Sequence, residues 1–278
     1  NVRNAGQANV RWTPLSRRKK KKRIMEEEIK RLITTCIENE NTLFTNNQTW
    51  RKPLIGFVDA NDSRINNLKQ IVSIDHLLPH NVLHDAKSII CFFIPFTNEI
   101  NKSNIPNKLA SQEWALTYIR TNTLISKISN EIEMFMKNTG YTVGKIPATH
   151  NFDTKTLISN WSHRHIAYLA GLGSFGINNM LITDSGCCGR LGSIVTNCHF
   201  EKKAEIEPRE RCLNKINGSC GICINKCVSN AFTDKEYNRF ICYDMCLENA
   251  EYHKNIGYAD VCGKCVVGLP CSFKDPSK

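Results

Sequence analysis

Gly218-Ser219-Cys220-Gly221-Ile222-Cys223-Ile224-Asn225-Lys226-Cys227 and, further on, Val261-Cys262-Gly263-Lys264-Cys265 decide how this chain is read. Each stretch holds a C-x-x-C pair followed by a lone cysteine, Cys227 for the first and Cys271 for the second. Two-cluster ferredoxins share ligands in this way, the solitary cysteine of each motif reaching across to the other cluster. Nine of the chain's 14 cysteines fall between Cys212 and its last residue, a density that packing alone does not require. A cubic cluster needs four soft thiolates around a small volume, and C-x-x-C supplies two of them from one tight loop. Gly221 and Gly263, at the first intervening positions, are expected to take positive φ and aim backbone N–H groups at sulfide. The tail therefore reads as a holder for two 4Fe–4S clusters. Structural zinc is the alternative, but zinc ribbons separate their pairs by about 15–20 residues, whereas 38 lie between Cys223 and Cys262.

Composition bounds the rest. The chain has 278 residues, 41% of them hydrophobic, enough for one sizeable core and a smaller appended module. Its longest apolar run, Ile89 to Phe96, is eight residues, short of the about 20 that span a bilayer, so no membrane association is expected. Nine Lys and Arg among residues 1–24, with no acid, account for most of the net charge of +11 and leave +2 for the remainder. The basic character thus belongs to a leader and not to the fold. With no apolar core and no amphipathic pattern the leader is neither a secretory signal nor a transit peptide. Met25-Glu26-Glu27-Glu28 directly after it would make an ordinary start, so residues 1–24 read as an over-extended start or appended remnant outside the fold. A nucleic-acid-binding arm is the alternative. A reducing, cytoplasmic setting follows, in which metal binding outranks disulfides.

Hydrophobic periodicity predicts an α+β architecture: an N-terminal α/β sandwich over residues 25–200, catalytic in character, and a small ferredoxin-like double-cluster domain over residues 201–278. Ile29, Leu32, Ile33, Cys36 and Ile37 mark an amphipathic first helix. Residues 54–58 and 88–94 are short β-rich runs of buried-strand type. Residues 76–85 and 98–107 read as loops, and residues 109–137 as a long helix closed by Asn138-Thr139-Gly140. Strands are expected at 141–146, 180–183 and 193–196, a helix at 162–170, and a charged linker at 201–211. Cys36, Cys91, Cys187, Cys188 and Cys198 read as ordinary buried or loop residues.

Ala170-Gly171-Leu172-Gly173-Ser174-Phe175-Gly176 matches G-x-G-x-x-G in form. A dinucleotide site requires a strand before the glycines and a helix after them, and here that order is reversed. Trp161-Ser162-His163-Arg164-His165 is unusual chemistry for a helix start. His163 and His165 point apart on a helix and cannot chelate one metal there, but with Arg164 one of them could line a cofactor or substrate pocket.

The cysteine stretches, together with Phe240-Ile241-Cys242, resemble the double-cluster domain of the epoxyqueuosine reductases and of the related corrinoid reductive dehalogenases. The resemblance implies that Cys220, Cys223 and Cys271, joined by Cys212, hold one cluster, and that Cys227, Cys242, Cys262 and Cys265 hold the other, with Cys246 as the substitute for Cys242. In two respects the chain departs from the family: Asn217 stands where the leading cysteine is usual, and the proline normally found after the fourth cysteine is Val228 after Cys227 and precedes Cys271 as Pro270. The glycine stretch, extended through Leu181-Ile182-Thr183 and Arg190-Leu191-Gly192-Ser193, is similar to a segment that lies against the corrinoid in that family. This implies cobalamin beside Gly171, Gly173 and Gly176, with packing of the chain on itself as the other reading of these glycines. It also implies Asp153 as general acid, against the commoner role of a loop or cap aspartate.

Three functions follow as expectations. The first is an oxidoreductase relaying electrons through two clusters to a corrinoid or substrate, supplied by a donor such as ferredoxin or flavodoxin, with tRNA as partner if it is a true epoxyqueuosine reductase. The second is a non-catalytic electron carrier or reductive activator. The third is a zinc-stabilised nucleic-acid-binding protein.

Overall fold

The computed structural model describes residues 14–43, 48–200, 209–232 and 236–278. In chain order the elements are α1 (Pro14–Thr42), β1 (Leu54–Asp59), α2 (Ser63–Asn66), α3 (Leu68–Ile71), α4 (Pro79–Val82), β2 (Ser88–Pro95), α5 (Asn98–Ser103) and α6 (Gln112–Asn138). There follow β3 (Val143–Lys145), the hairpin β4 (Phe152–Asp153) and β5 (Ile158–Ser159), α7 (His163–Leu169), the pair β6 (Gly173–Phe175) and β7 (Leu181–Thr183), and β8 (Gly189–Thr196). The cysteine-rich part holds α8 (Leu213–Asn217), α9 (Ile222–Asn225) and α10 (Arg239–Tyr252).

The centre is an antiparallel sheet in the order β1-β2-β8-β3. Every residue of β2 is buried, because helices cover both faces of the sheet. The two-residue period of a strand divides them: Ile90, Phe92 and Ile94 enter one core, and Ile89 and Cys91 the other. The first core is filled from α1 by Ile29, Ile33 and Ile37, four residues apart and so on one helical stripe, and from α6 by Leu124, Ile125, Ile128 and Ile132. The second lies under α7 and the short helices, with Ile65, Leu68, Trp161, Ile166 and Ala167. This is the α+β sandwich expected. Among the described residues no helix is long and apolar enough to cross a membrane.

Three details differ from the sequence reading. The first helix extends back to Pro14, into the basic stretch, since Lys and Arg are good helix formers and nothing interrupts them. Its packing nevertheless begins at Met25, which is buried where Ile24 is exposed. Residues 98–103, expected as loop, form α5, anchored by the buried Asn101 and Asn104. Residues 201–208 of the expected linker lie outside the described residues.

The cysteine-rich part does not hang apart from the sandwich. Cys212, Val266 and Val267 belong to the same core as Ile90 and Leu124. The tail is stitched to the sandwich by Cys187 N to Cys271 O (2.9 Å) and Cys188 N to Ser272 O (3.1 Å). Ala110 N donates to Asn249 Oδ1 (2.6 Å), and His253 Nε2 meets Ala110 O (2.8 Å).

Candidate metal centre

The cysteines sort into two cavities. Cys212, Cys220, Cys223 and Cys271 line the first, beside Gly176, Ile177, Asn178 and Ile182. Cys227, Cys242, Cys246, Cys262 and Cys265 line the second, about 350 Å³, together with Cys187. These are the two ligand sets that the resemblance implied, with Cys246 beside Cys242. Among the described residues no three His, Cys, Asp or Glu side chains converge on the radius of a single ion. The thiols therefore surround spaces wider than the about 2.3 Å bonds of a tetrahedral zinc would draw them into.

Local structure explains how these side chains are placed. Cys212 is the N-cap of α8, which ends one turn later at Gly218 in the left-handed conformation (φ 73°). Gly221 begins α9, which carries Cys223 inward. Its φ of −140° is not the positive angle expected, whereas Gly263 does take one, 75°. On α10, Cys242 and Cys246 stand one helical turn apart and so face the same cavity. The backbone N–H of Ala231 donates to Cys227 Sγ (3.3 Å).

Burial pushes the Cys223 and Cys262 thiols each up to about 11. It also pushes Cys265 up, helped by the neighbouring Cys262, Cys242 and Cys227. Cys242 runs the other way, to about 6, through hydrogen bonds from Cys246 and Tyr237 and the charge of Arg164. Soft donors that crowd and raise one another in this way favour a cationic centre that takes their protons' place.

Cys187 was not expected at the site. Its Sγ lies 4.0 Å from Cys271 Sγ while the residue also lines the second cavity, so it stands between the two. Its neighbour Cys188 donates to Val266 O (2.8 Å). Cys36, Cys91 and Cys198 are buried in the cores, away from both cavities. No sequence signal marks Cys187, because it arrives through the tertiary contact between the β7–β8 turn and the tail.

The residues expected around a second cofactor are placed as follows. Pro147 O can only accept, so His163 Nε2, 3.0 Å away, carries the proton, and Nδ1 accepts from Ser193 Oγ (2.8 Å). Trp161 Nε1 donates to the same Ser193 Oγ (2.9 Å). Both ring nitrogens being engaged, His163 is a neutral strut, its pKa driven down to about 4 by burial. Arg164 is exposed and donates to Asn179 O (2.6 Å). Its charge reaches Cys242 and Cys265, which ties α7 to the second cavity.

The glycines are used by the fold. Gly171 (φ 73°) closes α7 in a Schellman turn, its N–H bonding Tyr168 O (2.9 Å) and that of Leu172 bonding Ala167 O (3.0 Å). At Gly173 a Cβ would lie 2.2 Å from Ile182 O, across the β6–β7 pair, and at Gly176 one would lie 2.7 Å from Asn178 Oδ1. The packing reading thus accounts for Gly171, Gly173 and Gly176, and these residues offer a corrinoid no fitted cradle. Asp153 Oδ1 accepts from Lys155 N (3.0 Å), Thr156 N (2.7 Å) and Thr156 Oγ1 (3.0 Å), closing the β4–β5 turn. Those bonds hold its carboxyl below the usual range, the opposite of what a general acid at neutral pH needs.

Asp153 lines an open groove of about 930 Å³ with Asp75, Lys145, Pro147, Phe152 and Thr156 among others. Phe152 also lines the second cysteine cavity, so one side chain forms a wall of both.

No protein-family model and no curated protein matches this chain. Solved structures do. Epoxyqueuosine reductase from Bacillus subtilis matches with a TM-score of 0.54 at 18% identity, over 90% of this chain and 66% of that one. An epoxyqueuosine reductase with a tRNA-Tyr epoxyqueuosine-modified stem loop matches with a TM-score of 0.53 at 19% identity, over the same shares. A catabolic reductive dehalogenase matches with a TM-score of 0.56 at 13% identity, over 80% of this chain and 30% of that one. The architecture is thus one shared by reductases of modified nucleosides and of organohalides. Its particular form is the epoxyqueuosine reductase fold, of which this chain spans 66% of the length.

Proposed function

We propose that this chain is an iron–sulfur redox protein holding two 4Fe–4S clusters. Cys212, Cys220, Cys223 and Cys271 would hold the first, and Cys227, Cys242, Cys262 and Cys265 the second. The observation that carries the reading is the division of the tail cysteines between two cavities of at least four thiols each, with Cys187 between them. Four soft donors per cavity, with a backbone N–H already aimed at Cys227 Sγ, fit such a group. When bound, clusters of this type supply reversible one-electron storage at low potential.

The protein's own residues define a direction. The first cavity is bounded by α8 and α9, where Ile216 and Ile222 are exposed, and it is the entry side for a donor such as ferredoxin or flavodoxin. The second adjoins the groove beside β3 to β5 through Phe152, and Arg164 places positive charge next to its thiolates. The acceptor is an organic substrate in that groove, and the activity is that of an oxidoreductase. An epoxyqueuosine-containing tRNA stem loop, the ligand named for one structural neighbour, is the first acceptor to assay. Cobalamin has no fitted holder among the residues expected for it, and no step is derived through it.

Iron and acid-labile sulfide analysis of anaerobically purified, reconstituted protein tests the reading. About eight of each per chain, with broad absorbance near about 400 nm, is the expected result. Cys223→Ser and Cys265→Ser, one from each set, are each expected to remove about half of the iron. Zinc without sulfide would overturn the reading in favour of a zinc-stabilised protein.

A further inference from the structure

Two donors lining the second cavity lack acceptors. Trp114 is 4% exposed, yet its Nε1–H has no hydrogen-bond partner among the described residues. Arg190 stacks its guanidinium 4.4 Å from the centre of the Tyr118 ring and reaches toward Ala148 O, but its buried Nε is also unpartnered. Elsewhere in the protein buried indoles are satisfied: Trp50 Nε1 donates to Thr121 Oγ1 (2.8 Å) and Trp161 Nε1 to Ser193 Oγ (2.9 Å). A buried indole N–H usually finds a partner, and one without marks strain or an absent ligand.

The indole is held by design of the backbone around it. Ser111 Oγ caps α6 on Trp114 N (3.1 Å), and Phe96 meets the ring edge-on, with centroids 5.4 Å apart. On the cavity side lies the Cys262-Gly263-Lys264-Cys265 loop. A Cβ at Gly263 would stand 2.5 Å from Trp114 Nε1, so only glycine lets this ring rest on the C-x-x-C loop. Trp114 and four of the implied ligands, Cys227, Cys242, Cys262 and Cys265, line one space. The acceptor chemistry concentrated there is sulfur.

Resting on the cluster reading of this cavity, we propose that Trp114 Nε1–H donates a hydrogen bond to a sulfur of the second centre, a cysteine thiolate or an inorganic sulfide, and so sets its reduction potential. Trp114 is a positioning residue and not a ligand. A hydrogen bond to sulfur favours the more negative, reduced state of such a centre and raises its potential. Electrons would then settle on the second centre, next to the groove, in preference to the first.

The test is a redox titration of the reconstituted full chain and of W114F, followed by electron paramagnetic resonance. Trp114→Phe keeps a ring against Phe96 and removes the donor. At the wild-type midpoint, the ratio of reduced to oxidised second centre should fall about fivefold, with the other centre unmoved. Equal midpoints in two fully loaded proteins overturn the assignment, including the case in which water satisfies the indole. Should W114F fail to hold iron, wild-type protein carrying ¹⁵N-indole decides: the reduced centre must show nitrogen coupling in pulsed resonance, and its absence overturns the assignment. Wild-type protein that takes up no iron and sulfide overturns instead the reading on which the inference rests.

Discussion

A methyl group on Gly263 would land 2.4 Å from ring carbons of Trp114 while forcing alanine into φ 75°. Gly221, at the equivalent place in the other C-x-x-C loop, has φ −140° and open space where its Cβ would be. The two loops thus look alike in sequence and differ in what they require. Gly263→Ala should lower stability by about 2 kcal/mol or more, and Gly221→Ala by less than about 1, as read by urea denaturation of the iron-free chains. His163 gives a second residue-level expectation. Its pKa lies near 4 in the fold against about 6.5 when unfolded, so below pH 6.5 the unfolded chain binds a proton that the folded one refuses. The stability present above that pH is lost as pH falls toward 4. Urea denaturation at stepped pH should show this slope, and H163Q should flatten it.

At the level of elements, the long pieces were legible and the short ones were not. The stripe of Ile29, Ile33 and Ile37, the run from Ser88 to Ile94 and the apolar spacing up to Met136 carry enough periodic signal to mark α1, β2 and α6. By contrast α5 and the β4–β5 hairpin are a few residues each, fixed by contacts such as Asn104 Nδ2 to Cys262 O (2.9 Å) and by the Asp153 turn, which no local pattern encodes. The glycine stretch after α7 shows the same limit: its motif was visible, but whether the missing side chains make room for a ligand or for the chain itself depended on where Ile182 lies. Gly171→Ala, which has open space but positive φ, should cost about 1 kcal/mol. Gly173→Ala drives a Cβ into Ile182 O and should part β6 from β7, with a larger fall in the thermal midpoint. A Gly173→Ala protein as stable as the parent would restore the ligand reading.

For the whole molecule, the candidate site was legible where soft-ligand spacing is local and silent where the tertiary structure supplies the group. Both cysteine sets could be drawn from the sequence. Cys187, Trp114 and Arg190 reach the cavities from the sandwich and carry no motif. Because Cys212, Val266 and Val267 share a core with Ile90 and Leu124, filling the cavities should stabilise the entire chain and not the tail alone. Removing iron from reconstituted protein should lower a single thermal transition by about 5–10 °C, as followed by circular dichroism and tryptophan fluorescence together. Two separate transitions would show that tail and sandwich unfold independently.

The anchoring of Cys187 and Cys188 to Cys271 and Ser272 has a consequence for biosynthesis. A ribosome that has made the sheet and both long helices still holds a protein whose central layer is open on one flank. Closure waits until residues 266–272 have left the exit tunnel. Cofactor delivery to this chain is therefore a post-translational event, and a nascent chain stalled ahead of that segment exposes apolar surface to chaperones.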